Sequence, residues 1–243
     1  VLNFKQSDRE HFLIGMMKVN FLKRLESSIK SFEISLDRTI QKIEKLENKI
    51  KNFLESQMDS QEESLESLEP DEEELEENDE DIEQWQGGKK LKFDLADINL
   101  EEWLADLKKD KEALIDLLHN ADSVTPERDA KLSELKGLIT KKVNSPFNDN
   151  NKKVIVFTAF ADTAKYLYEN IKEWCQGELN LHSALVCGSY TQTTYGKTDY
   201  DSILLNFSPV SKNRSRITSV AQNEDIDVLI ATDCISEGQN LQD

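Results

Sequence analysis

Three short apolar runs constrain this chain most: Val154 to Thr158, Leu181 to Val186, and Val228-Leu-Ile-Ala231. Each is shorter than a helix needs, and the first is a β-branched run of the kind buried on both faces of a parallel sheet, which predicts three strands. Between the first two, Ala161 to Trp174 reads as a helix. Between the last two, Asp199 to Phe207 reads as a shorter one, ended by Ser208-Pro209. This alternation predicts an α/β layer. In such a sheet, ligand-binding groups collect just past the carboxyl ends of the strands. Here those positions are Thr158-Ala159-Phe160, Cys187-Gly188-Ser189, and Thr232-Asp233 through Gly238-Gln239-Asn240. Small hydroxyl residues and glycines let a phosphodiester approach the backbone, and neutral donors position it without reading a base. In the capping reading, Asp162 and Thr163 serve the helix that follows Phe160.

The N-terminal third follows a different rule. Leu22, Leu25, Ile29, Phe32, Leu36, Ile43, Leu46, Ile50 and Phe53 recur in steps of three and four once Thr39 is counted, which is a heptad seam. It predicts one long helix from about Arg9 to about Gln57. Its partner is either a later helix of the same chain or a second copy. Gly87-Gly88 marks a turn, and Lys89 to Leu95 alternates charged and apolar residues like a short half-buried strand. Leu100, Trp103, Leu104, Leu107, Leu114, Ile115 and Leu118 trace a helical face. Thr125-Pro126-Glu127 then predicts the start of another helix, with its face on Leu132, Leu135, Leu138, Ile139 and Val143. The organisation expected is a long helix over 1–58, a linker over 59–86, a strand with a helical hairpin over 87–148, and the α/β part over 149–243.

Charge separates these parts further. Residues 59–83 hold 15 Asp or Glu and no Lys or Arg, so the rest of the chain carries only −3 of the net −18. Such a block repels itself and buries little, which predicts a solvated, flexible linker. A sharper reading makes it a mimic of nucleic acid, competing for a basic groove or binding a basic partner protein. No apolar run is long enough to span a bilayer, and Val1 to Glu10 lacks the pattern of a signal peptide, so the expected location is the cytoplasm. Three Cys and three His are scattered without metal-binding spacing, and Cys187 and Cys234 read as buried thiols. Lys212, Arg214 and Arg216 form a small basic cluster that offers phosphate contacts, with Lys212 and Arg214 as the candidates.

The segment Lys153-Val-Ile-Val-Phe-Thr-Ala-Phe160 resembles motif IV of superfamily 2 helicases and Swi/Snf-type ATPases of the bacterial branch. Ala231-Thr-Asp233 with Ser236-Glu-Gly-Gln-Asn-Leu-Gln242 resembles their motif V. Gly188-Ser189 and Phe207-Ser-Pro209 fall where that family has similar residues, and Lys23 to Ser28 and Asp94 to Asp97 are similar to its helical insertion. The resemblance implies a partial RecA-like sheet, the second lobe of an ATP-driven translocase on double-stranded DNA. Carried over, Thr158, Ser189 and Thr232 would contact the DNA backbone, and Glu237, Gly238 and Asn240 would lie near the nucleotide. The sequence has no GxxxxGK[ST] loop, no accompanying acidic box and no motif VI arginine. The resemblance therefore implies a piece truncated after motif V, inactive alone, with ATP and Mg²⁺ held mainly by an N-terminal RecA-like lobe.

The alternative from the residues themselves is an acidic coiled-coil module that binds a basic partner.

Overall fold

The computed structural model describes residues 6–56, 99–148, 151–188, 190–196, 198–217, 222–235 and 240–241, with only the backbone described for 6–13 and Cys234. The expected acidic linker at 59–83 and the strand at 89–95 lie outside the described residues. Two compact units emerge. One comprises Val1–Leu22 with Phe32–Ser123, and the other Lys23–Ser31 with Val124–Asp243. The boundary falls at Ser123, whereas the sequence suggested 148. Among the described residues no helix is long and apolar enough to cross a membrane.

The first unit is helical. The helix expected over 9–57 is in fact two, α1 (Gln6–Ser27) and α2 (Ile29–Ser56), interrupted at Ser28. Ser28 caps α2, its hydroxyl accepting from the Ser31 amide at 3.0 Å, so a local side-chain bond replaces the continuing helical ladder. The seam divides with the helix. Leu36, Leu46 and Ile50 are buried as the heptads require, but Leu22 is 64% exposed and Leu25 is exposed as well. Phe21 and Phe32 meet edge to face, with centroids 6.2 Å apart.

A third helix, α3 (Leu100–Asp122), is started by Asn99. Its side chain accepts from the Glu102 amide at 3.3 Å and donates to the Glu102 carboxylate at 2.9 Å, a reciprocal cap. Leu46 and Ile50 of α2 form one core with Leu100, against which Phe53, Trp103, Leu104 and Leu107 pack. This stretch of the seam is covered within the chain, so no second copy is needed to bury it. Each fully buried Leu or Ile there contributes about 1.5–3 kcal/mol. Inside the same face sits an acid the periodicity did not flag. Glu47 is buried, its carboxylate bonded to the Lys111 ammonium at 2.8 Å.

The second unit is mixed α/β. A four-stranded, mostly parallel sheet has the order β1-β4-β2-β3, with β1 (Val154–Phe157), β2 (Ser183–Cys187), β3 (Tyr190–Thr193) and β4 (Val228–Ala231). β4 lies between β1 and β2 and is parallel to both. β3 is antiparallel to β2 and was not foreseen, because Tyr190-Thr-Gln-Thr193 has none of the apolar character of the other strands. β1 was expected to be buried on both faces. It is instead an outer strand of the described sheet and only half-buried.

Helices cover both faces, which explains the continuous apolar runs. On one face α4 (Ala130–Asn144) and α5 (Ala161–Leu179) bring Leu132, Ile139, Tyr168 and Ile171 against Leu185, Val228 and Ile230. On the other, α6 (Tyr200–Phe207) brings Ile203, Leu204 and Phe207 against Val186, Leu229 and Ala231. Alternate residues of β4 thus enter different cores.

Several boundaries moved. Thr125-Pro126-Glu127 opens only a 3-10 turn, Pro126–Arg128, and α4 begins at Ala130 because the Asp129 carboxylate accepts from the Leu132 amide at 3.0 Å. The Thr125 hydroxyl turns to the exposed Glu127 carboxylate and holds its pKa below the usual value. Leu138, assigned to the α4 apolar face, is 55% exposed, since Leu132, Leu135, Ile139 and Val143 already fill that face. α5 runs five residues past Trp174 and ends at Asn180, whose φ of 52° takes the left-handed conformation usually left to glycine.

Candidate functional site

The topology itself selects one edge of the sheet. The chain leaves β1 across one face through α5 and returns to β4 across the other through α6, so the connections diverge beside β4. Crevices at the carboxyl ends of strands open at such a reversal. The ladder carries on one step past the strands there. The Thr158 amide donates to the Ala231 carbonyl at 3.0 Å, and the Thr232 amide donates to the Val186 carbonyl at 3.1 Å. Thr158 and Thr232 are therefore neighbours in one row, both half-buried, and Cys187 and Gly188 continue it.

Of the expected contacts, Thr158, Thr232 and Asn240 are described, whereas Ser189, Glu237 and Gly238 lie outside the described residues. Asn240 is exposed, and the Leu241 beside it packs on the core that α6 forms with the sheet. Cys187 pairs with Tyr190, so β2 and β3 are joined by a two-residue connection, Gly188-Ser189. Gly188 has φ 55°, which a β-carbon disfavours. That glycine is explained by a hairpin turn, without any ligand.

The basic cluster is placed elsewhere. Arg214 is only 6% exposed. Its guanidinium donates to the Asn206 side chain at 3.1 Å and to the Gln222 carbonyl at 3.0 Å, and it pairs with Asp225. Asp225 stands just ahead of β4, so this network lies toward the amino ends of the strands, away from the threonine row. The expectation that Arg214 contacts phosphate is corrected here, because its fork of donors is committed to an internal tie. Lys212 is half-buried two residues earlier, its amide bonded to the Ser208 carbonyl at 3.0 Å. Arg214→Ala is expected to lower stability by about 2–3 kcal/mol in urea unfolding. It should leave any nucleic-acid affinity unchanged.

The residues around the start of α5 do something the sequence did not announce. Asp162 and Thr163 were assigned to capping, but the position before α5 is Phe160, which makes no side-chain cap bond. Asp162 instead pairs with Arg24 at 3.4 Å, and the Arg24 guanidinium lies 4.7 Å from the Phe160 ring centroid. The Thr163 hydroxyl is 2.8 Å from that of Ser27 and 2.9 Å from that of Ser28. Ser27 is also 3.4 Å from the Thr158 hydroxyl. Lys131 donates to the Glu26 carbonyl. Residues 23–31 are thus fastened to the end of β1 and the first turn of α5. One signal was present in the sequence: Ser27-Ser28 is a polar pair set inside an apolar seam.

Buried thiols are inert here. Cys175 and Cys187 are buried and form no disulfide, and burial pushes the Cys175 thiol up to about 11. Among the described residues no group of three or more His, Cys, Asp or Glu is placed to hold a metal ion. With no P-loop in the sequence either, the described residues do not by themselves fit a Mg²⁺–nucleotide site. No family model matches the chain, and no curated protein matches it.

Proposed function

We propose that residues 124–243 form the backbone grip of a superfamily 2, Swi/Snf-type translocase, a RecA-like second lobe acting on double-stranded DNA. The observation that carries the proposal is the row of Thr158 and Thr232 past the carboxyl ends of adjacent parallel strands, beside the reversal of connections. Two hydroxyls at that edge suit phosphate oxygens, hold a strand in register and read no base. The order of the motif-like segments along the chain supports the same reading. Nucleotide chemistry belongs in it to a first lobe carrying the P-loop, and Glu237, Gly238 and Asn240 are assigned to the cleft shared with that lobe.

A grip without a strong positive field binds weakly. The chain alone is expected to hold duplex DNA with a Kd of about 10⁻⁴–10⁻⁶ M, measured by fluorescence anisotropy at physiological salt. Thr158→Val with Thr232→Val, which keeps shape and removes both hydroxyls, should weaken binding about ten-fold. Circular dichroism would check that the double variant is folded. Unchanged affinity would remove the threonine row from the interface, and steady ATP turnover by the chain alone would contradict the assignment of hydrolysis to another lobe.

A further inference from the structure

Beside the threonine row stands an aromatic residue that is nearly half exposed. Tyr190 opens β3 immediately after the Gly188-Ser189 connection and pairs with Cys187, the last residue of β2, so it shares the carboxyl edge with Thr232. It lies on the sheet face that carries α5, since its partner Cys187 joins that core, yet at the rim Tyr190 is 47% exposed. Its orientation is restrained from two sides. The hydroxyl donates to the Gln192 side chain at 2.9 Å, two residues along the same face of β3. The ammonium of Lys165, exposed on the first turns of α5, lies 5.5 Å from the ring centroid. A cation and an exposed ring held together at one rim are the two components that proteins use to hold unpaired nucleotides, the charge for phosphate and the ring for a base.

We propose that Tyr190 and Lys165 form a stacking platform for an unpaired nucleotide, and that the DNA taken by this edge is a duplex carrying a single-stranded overhang. The inference rests on the reading of the threonine row as a backbone grip and narrows its substrate. A continuous duplex keeps its bases stacked inside and offers Tyr190 only sugar and phosphate. A strand leaving the duplex at this rim presents a base to the exposed part of the ring, while Lys165 neutralises the adjoining phosphate. Stacking on the ring tolerates any base, because each has a π-face.

The test uses the full chain and three fluorescein-labelled DNAs, a blunt duplex, the same duplex with a ten-nucleotide overhang, and the overhang strand alone. The overhang duplex is expected to bind about five-fold or more tighter than the blunt one, the scale of one stacked base. Tyr190→Ala should erase that preference and leave blunt-duplex binding unchanged, and Tyr190→Phe should keep it because the ring remains. Lys165→Gln should weaken all three DNAs and lower the slope of log affinity against log salt by about one. An overhang preference that survives Tyr190→Ala, or equal affinity for blunt and overhang duplexes, overturns the platform alone. Loss of binding to every DNA in Thr158→Val with Thr232→Val, with Tyr190 intact, leaves the grip standing. No binding of any DNA by the unaltered chain overturns both.

Discussion

Lys111→Met is expected to lower the stability of the helical unit by roughly 3–5 kcal/mol, the scale for removing one partner of a buried ion pair. Glu47 is buried in α2 and is held by the Lys111 ammonium at 2.8 Å. Among the described residues its other carboxylate oxygen, Oε1, makes no hydrogen bond. Met has room along the lysine stem but leaves that carboxylate without a countercharge in the α2–α3 interface. Lys51 stands 3.8 Å away with its side chain 44% exposed, and a solvated cation of that kind offsets little. The double variant Glu47→Leu with Lys111→Met should return stability close to that of the unaltered chain or above it, since the desolvation cost disappears with the pair. Urea midpoints followed by far-ultraviolet circular dichroism measure both. A single variant as stable as the unaltered chain would show that Glu47 does not depend on Lys111 for its burial.

Arg24→Met is the second large effect, with an expected loss of about 2–4 kcal/mol from the α/β unit. Arg24 is buried and Asp162 half-buried, and the methionine would take the guanidinium away from the Asp162 carboxylate. The figure is set below that for Lys111 because Asp162 sits in the first turn of α5, where the positive end of the helix dipole offsets part of the charge. Met still packs against the Phe160 ring through its sulfur, so the loss reports charge more than volume. Arg24→Lys should fall between, keeping the cation and losing the planar stacking over Phe160. Amide hydrogen exchange gives the local readout. Protection at residues 23–31 should fall in Arg24→Met before protection in β4 does. If exchange rises evenly across the sheet instead, the contact is part of the general core and not a fastening of that segment.

Both effects concern contacts between segments far apart in the chain, and that is why neither was legible beforehand. Periodicity reports which face of a helix is apolar. It does not report that an acid can sit on that face when a lysine 64 positions later reaches it. The heptads of α2 correctly marked Leu36, Leu46 and Ile50 for burial, yet passed through Ser28 as if it were neutral. One serine hydroxyl accepting from Ser31 ended the run. Likewise Thr125-Pro126-Glu127 carries every local sign of a helix start, and the neighbouring Asp129 takes the cap because its carboxylate reaches the Leu132 amide. Competing caps a few residues apart are nearly equal locally, and packing selects between them.

The threonine row was found from the sequence because strand ends are local. An apolar run stops where the first polar residue appears, and all parallel strands stop on the same side. Arg214 was misplaced because charge alone does not say which way a side chain turns. Asn206, Gln222 and Asp225 converge on it only after α6 and the start of β4 are packed. Tyr190 and Lys165 were overlooked for the same reason, as their proximity depends on an antiparallel strand that no apolar pattern marked.

What the sequence by itself determined is the character of each segment: three strands apolar enough to be covered on both faces, amphipathic helices between them, a helical N-terminal part, and one acidic block of 15 carboxylates. These follow from the periods of 2.0 and 3.6 residues and from the cost of burying charge, which act within a few residues. Only the tertiary structure decided the strand order β1-β4-β2-β3, the fastening of residues 23–31 to the start of α5, the burial of Glu47 and Arg214, and the exposure of Tyr190. Those depend on which surfaces meet, and contacts between different elements leave no repeating mark in the segments that make them.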